Sequence, residues 1–160
     1  MTALKMFHGT GVALVTPFKK DGSIDFEGLK NLLIATATKG VDYYVVNGTT
    51  GESTSTSDQE KADILQFVKE NNPLSLPIVY GLGGNNTLEI INKLDKTDLN
   101  CVDAILSVSP AYNKPSQEGI IKHFELIADK SQVPIILYNV PGRTSSNLIA
   151  DTTLHLANHP

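Results

Sequence analysis

Five short apolar runs in the chain are each followed by a polar loop, and those loops gather residue types that handle carboxylates and protons. Gly48-Thr49-Thr50-Gly51 sets two hydroxyls between two glycines. Glycines let the backbone come close to a ligand, and consecutive N–H groups with two hydroxyls can hold a carboxylate. The same tetrapeptide would also make a tight turn with capping threonines. Tyr112 and Tyr138 stand at the ends of apolar runs. An ordinary tyrosine, with a pKa of about 10, is a poor acid unless hydrogen-bonded. A hydroxyl chain through a threonine would let the two relay a proton, while their amphipathic rings equally suit a rim position. Arg143 follows a Pro141-Gly142 turn that would aim its planar fork at a carboxylate or leave it solvated.

Other candidates fall away on spacing. Gly81, Gly83 and Gly84 suggest a phosphate loop, but the dinucleotide fingerprint and the Gly-Lys-Ser/Thr ending of a P-loop are both missing, so no nucleotide is expected. Asp42, Glu52 and Asp103 could be bases, yet nothing in the sequence pairs them. His8, His123, His155 and His159 lack partners at ligand spacing and take no role. Cys101, the only cysteine, is read as a small core residue, and no metal site is expected.

The elements that must position these loops alternate regularly. Gly11–Val15, Tyr43–Val46, Pro77–Tyr80, Ala104–Val108 and Pro134–Tyr138 read as strands, each almost wholly apolar, as a strand covered on both faces requires. Phe26, Leu29, Leu32, Leu33 and Ala37 recur at helical spacing before Gly40, and Ala62, Leu65 and Val68 do so before Asn71-Asn72-Pro73. Ser57-Asp58-Gln59-Glu60 is a capping box, and Asn86 to Glu89 is a weaker start of the same kind. A fourth helix follows Pro115-Ser116 with Ile120, Ile121, Phe124 and Ile127 inward, and a fifth runs from Leu148 to Leu156. First strand residues at 12, 43, 78, 104 and 135 give intervals of 31, 35, 26 and 31 residues, the βαβ repeat. Such units build either a doubly wound open sheet or a barrel of about 250 residues, and length alone favours a flavodoxin-like open sheet.

Composition narrows the partners. With 160 residues, 41% hydrophobic and 19% charged, the chain has the make-up of one globular domain spanning residues 1–160. A net charge of −4 without a basic stripe argues against nucleic acid. No apolar run approaches the roughly 20 residues that span a bilayer, and the first residues lack the apolar stretch of a signal peptide, so a cytoplasmic location is expected.

Taken together, Gly48-Thr49-Thr50-Gly51-Glu52, Ser109-Pro110-Ala111-Tyr112-Asn113-Lys114-Pro115 and Tyr138-Asn139-Val140-Pro141-Gly142-Arg143-Thr144 resemble the signature loops of the dihydrodipicolinate synthase family. The opening Gly9–Phe18 segment and the spacing between motifs resemble it too, so the likeness covers the whole chain. It implies a (β/α)8 TIM barrel of the class I aldolase type, of which the first five βα units are present. The activity it implies is that of a lyase of lysine (diaminopimelate) biosynthesis: condensation of pyruvate with L-aspartate 4-semialdehyde through a Schiff base to give 4-hydroxy-tetrahydrodipicolinate, with no cofactor. Thr49, Tyr112 and Tyr138 match the proton relay, Thr50 with Thr49 matches the cradle for the pyruvate carboxylate, and Arg143 matches the grip on the aldehyde's carboxylate. Tyr112 is implied to cross a dimer interface, with dimers paired into a homotetramer.

Two departures accompany the likeness. The Schiff-base lysine belongs to a sixth strand, expected beyond Pro160. Lys39, Lys69, Lys93, Lys122 and Lys130 lie in helical patterns and Lys114 in the tyrosine loop, so the chain alone is expected to be inactive and unstable, with bare sheet edges. The family's lysine-feedback site is matched at Asn85 and Glu89 only, with Asp58, Lys61 and Ala111 at its other positions. Two alternatives remain at this point: another pyruvate-dependent aldolase, and a five-stranded α/β module that binds a carboxylate without chemistry.

Overall fold

The computed structural model describes residues 6–160, and its helices begin where a side chain can take up the free N–H groups of a first turn. Asp25 accepts from Gly28 N at 3.0 Å ahead of α1 (Phe26–Thr38). Ser57 and Glu60 form the expected capping box of α2 (Asp58–Asn71), with Ser57 N donating to Glu60 Oε2 at 2.8 Å and Glu60 N to Ser57 Oγ at 3.2 Å. Asn86 caps α3 (Thr87–Lys96), and Ser116 caps α4 (Gln117–Ala128). Ile149 precedes α5 (Ala150–Ala157) with no side-chain cap. Gly40 ends the first helical segment as expected: its φ of +82° is a backbone that only glycine adopts without cost.

The strands are β1 (Gly11–Ala13), β2 (Tyr43–Val46), β3 (Ile78–Gly81), β4 (Ala104–Val108) and β5 (Ile135–Tyr138), each followed by the helix of the same number. β1 is shorter than its apolar run. Leu14 N still donates to Val45 O at 3.0 Å, but the chain then turns away and leaves Val15 48% exposed.

The chain divides into two compact units. The first comprises the residues up to Gly81 with Asn100–Ala104. In it β1 pairs parallel with β2, Val12 opposite Tyr44, and β2 pairs parallel with β3, Val45 opposite Val79. Its core joins Leu29, Leu33 and Ala37 of α1, Ile64, Leu65 and Val68 of α2, and Tyr44, Val46, Ile78 and Val79 of the strands, all buried. A buried tyrosine needs a partner for its hydroxyl, and Tyr44 donates to Leu33 O at 2.8 Å. Asp103 Oδ2 accepts from Ile78 N at 2.8 Å, and Asp42 Oδ2 accepts from Thr10 N at 2.6 Å. Both carboxylates thus pin backbone near strand beginnings.

The second unit comprises Leu82–Leu99 and Ile105–Pro160. Here β4 pairs parallel with β5 from Ile105 opposite Ile135 to Val108 opposite Tyr138. α4 packs against both α3 and α5, and Ile120, Phe124 and Leu148 form a buried cluster against Ile135, Leu137 and Leu156. No helix among the described residues is long and apolar enough to cross a membrane.

Four expectations about burial change. Cys101 is exposed, in a turn before β4 at φ +62°, because the chain reverses there before it reaches the core. Ala62 faces outward while Ile64 takes an inward place on α2, and Ile121 is half-buried while His123 goes inside. The half-exposure of all four β5 residues departs from a strand covered on both faces.

Replacing Ser57 with Ala removes one half of the capping box and is expected to cost about 1 kcal/mol of stability. The shift in the urea unfolding midpoint at unchanged slope measures it.

Candidate functional site

The loop leaving β2 is built on close backbone approach. Asn47 sits at φ +57°, 3% exposed, with Nδ2 donating to Lys61 O at 3.1 Å. A Cβ at Gly81 would overlap the Asn47 carbonyl, so glycine is required there for β3 to lie beside this loop. Thr49–Gly51 then forms one 3₁₀ turn, closed by Gly51 N donating to Gly48 O at 3.0 Å. Glu52 takes a left-handed φ of +56°. The buried Thr16 hydroxyl donates to Gly51 O at 2.7 Å and fixes the turn to the end of the β1 run.

Thr49 and Thr50 are exposed on this turn, and among the described residues no hydrogen bond engages either hydroxyl. They therefore do not act as backbone caps. Their hydroxyls, flanked by two glycines, remain available to an anion.

In the second unit the loop after β4 and the segment after β5 are tied to each other. Ser109 N donates to Tyr138 O at 3.1 Å, Ala111 N to Asn85 Oδ1 at 2.7 Å, and Tyr112 N to Thr144 O at 3.3 Å. Tyr112 has φ +63° and is 88% exposed, an unusual combination for a large aromatic residue. Tyr138 ends β5 half-buried, opposite Val108. Arg143 stands exposed on the single helical turn Pro141–Thr144, with no carboxylate partner among the described residues. Asn139 fixes the return of this segment, accepting from Leu148 N at 3.2 Å and donating to Asn147 Oδ1 at 2.8 Å.

Asn85 and Glu89 have partners of their own. Asn85 holds the Ala111 backbone, Glu89 pairs with Lys93 at 3.0 Å, and on α2 Asp58 pairs with Lys61 at 3.5 Å. Among the described residues no strand carries a lysine. Lys69, Lys93 and Lys122 are helical, and Lys114 sits in the Tyr112 loop at φ +47°.

Sequence reasoning missed His123. It is 4% exposed on α4, its Nδ1 is 2.9 Å from Thr87 Oγ1, and burial pushes its pKa down to about 4. Its place between Ile120 and Phe124 on the inward face of the helix was the available signal. Glu125, one turn from Ile121, is held down to about 2 by hydrogen bonds from Lys122 and His155, and so fastens α5 to α4.

The family model for the dihydrodipicolinate synthetase family matches residues 6–160. A 4-hydroxy-tetrahydrodipicolinate synthase of Cytophaga hutchinsonii is 52% identical over 151 residues, covering 94% of this chain and 51% of its own. The enzyme of that name from Flavobacterium psychrophilum is 50% identical, covering 96% and 53%. Among solved structures, the chloride-inhibited dihydrodipicolinate synthase of Acinetobacter baumannii complexed with pyruvate superposes with a TM-score of 0.92 at 39% identity, over 96% of this chain and 53% of that one. The chain spans about half the length of the curated relatives it matches. Its five βα units are the first five of a TIM barrel, which replaces the open sheet that length alone favoured.

The lowered pKa of His123 has a definite sign. The unfolded chain takes up the proton near pH 6.5 and the folded one only near 4, so stability is full above 6.5 and falls as pH drops from 6.5 to 4. Glu125 contributes in the separate window from 4.5 down to 2. His123→Gln is expected to flatten the upper window alone, read from urea unfolding across pH.

Proposed function

Because the chain belongs to the dihydrodipicolinate synthetase family, we propose that it supplies the substrate-handling loops of a lyase that condenses pyruvate with L-aspartate 4-semialdehyde. The product is 4-hydroxy-tetrahydrodipicolinate, on the route to diaminopimelate and lysine. The observation that carries the reading is the pair of unengaged hydroxyls on the Thr49–Gly51 turn, a carboxylate cradle pinned by Thr16.

In this reading Thr49 and Thr50 receive the pyruvate carboxylate. An enzyme amine condenses with the ketone, water leaves, and the resulting Schiff base loses a methyl proton to become an enamine nucleophile. Thr49, Tyr112 and Tyr138 form the proton relay, with Tyr138 giving a proton to the hydroxyl that leaves as water and taking one from the methyl carbon beside the Schiff base. Arg143, free of internal carboxylates, grips the carboxylate of the aldehyde substrate. The amine is that of a lysine beyond Pro160, a placement supported by the absence of lysine from every strand described.

Assembly belongs to the same reading. Tyr112, exposed and held at a left-handed φ, is suited to reach into a second subunit, and dimers joined this way pair into a homotetramer in the cytoplasm. A lysine-feedback site at Asn85 and Glu89 belongs to the same reading, half matched, with Asn85 also holding Ala111 N and Glu89 paired with Lys93.

The test continues this chain with the second half of the Cytophaga hutchinsonii relative. That chimera is expected to turn over pyruvate with aspartate semialdehyde, to lose about a hundredfold or more in turnover on Tyr138→Phe, and to lose affinity for the semialdehyde on Arg143→Ala. Mass analysis after pyruvate and borohydride should show one adduct on the chimera and none on residues 1–160 alone. An adduct within residues 1–160 would overturn the placement of the amine, and turnover of a different aldehyde alone would move the assignment to another pyruvate-dependent aldolase.

A further inference from the structure

Two buried serines lie beneath the loops that present Tyr112 and Arg143. Ser109 is fully buried and Ser146 is 8% exposed, with their hydroxyl oxygens 2.8 Å apart. Ser146 Oγ also lies 3.0 Å from Pro110 O, which can only accept. A serine hydroxyl has one proton, so Ser146 gives its own to Pro110 O and must accept from Ser109. The result is a directed chain from Ser109 through Ser146 to the Pro110 carbonyl.

Thr144 continues it. Its buried hydroxyl donates to Ser146 O at 2.9 Å and accepts from Ser146 N at 3.2 Å, while Thr144 O accepts from Tyr112 N at 3.3 Å. The loop carrying Tyr112 is thereby joined to the turn carrying Arg143, through Ser109 and Thr144 at the ends of their motifs and through Ser146, which lies outside both. Tyr112 at φ +63° and Ser145 at φ +55° both adopt a backbone that non-glycine residues hold only where the surroundings over-determine it. The serine chain, with Asn85 on Ala111 N, supplies that determination.

We propose that Ser146 is a positioning residue whose hydroxyl locks the Tyr112 loop onto the Arg143 turn, so that relay tyrosine and carboxylate-gripping arginine are presented in one fixed geometry. The roles of Tyr112 and Arg143 rest on the function proposed above; the lock itself does not. It acts on the groups that meet the aldehyde substrate and leaves the Thr49–Thr50 cradle untouched.

The experiment compares Ser146→Ala, Ser109→Ala and the double variant, in the 160-residue chain for hydrogen exchange and in the chimera described above for kinetics. The first readout is amide hydrogen exchange, which needs no substrate. The Tyr112 amide is expected to exchange about tenfold faster in Ser146→Ala, the scale of one lost buried hydrogen bond, while the Ile120 amide in α4 stays at the wild-type rate. The second readout is kinetic: turnover falls and the KM for semialdehyde rises, with the KM for pyruvate unmoved. The double variant should lose no more than Ser146→Ala, because the two hydroxyls act as one chain. An unchanged Tyr112 amide, or losses that simply add, would overturn the proposal. Should Ser146→Ala not fold, Ser109→Ala, which removes one of the two hydrogen bonds that join Ser146 to the Tyr112 loop, should still speed exchange at the Tyr112 amide by a smaller factor, and a wild-type rate there would overturn the proposal. A protein that condenses nothing would sink the functional reading while the exchange result still decides the lock.

Discussion

A parallel strand pair cannot be closed by a hairpin turn, so each strand must be followed by a return segment long enough to carry the chain back to the starting end. Every strand here is answered by a helix, and within each unit all strand ends therefore point the same way. That requirement separates two kinds of loop. Those entering strands are fastened for stability, as where Asp42 takes up Thr10 N and Asp103 takes up Ile78 N. Those leaving strands carry exposed threonines, a tyrosine and an arginine whose polar groups are largely unspent on the fold.

The unspent groups are what distinguish a site from a framework. A threonine beside a helix or turn ordinarily satisfies the backbone, as Thr36, Thr97 and Thr144 do here. Thr49 and Thr50 do not, because the turn that holds them is closed by its own backbone and by Thr16 from outside. Rigidity is supplied by one set of residues and binding capacity by another, and neither has to serve both ends.

Local signals were read from the sequence with good accuracy. Ser57 and Glu60 sit three residues apart and need no tertiary knowledge, so α2 begins where expected, and Ala104–Val108 is a strand to the residue. What escaped depends on partners distant in the chain. His123 enters the core because Thr87, 36 positions away, can meet its ring, and Cys101 leaves it because a left-handed turn intervenes. The carboxylates Asp42 and Asp103 looked like free bases because their partners are backbone N–H groups, which every residue but proline carries and no pattern marks. The architecture itself was misjudged by length, since half a barrel has the length of an open sheet; the residues at the strand ends corrected it. At those ends Thr49, Thr50, Tyr112, Tyr138 and Arg143 were all singled out by residue type, but the pairing of Ser109 with Ser146 beneath them was invisible, because ordinary hydroxyls 37 residues apart carry no pattern.

That separation also sets an order of events. A ribosome releases the chain from its first residue onward, so Tyr112 is made well before Ser146 exists to receive Ser109. Until then the left-handed backbone at Tyr112 has no reason to form, and the loop can only sample the conformations that aromatic residues ordinarily prefer. The left-handed torsion at Tyr112 is therefore acquired late relative to its own synthesis, fixed by a hydroxyl that arrives some tens of residues later.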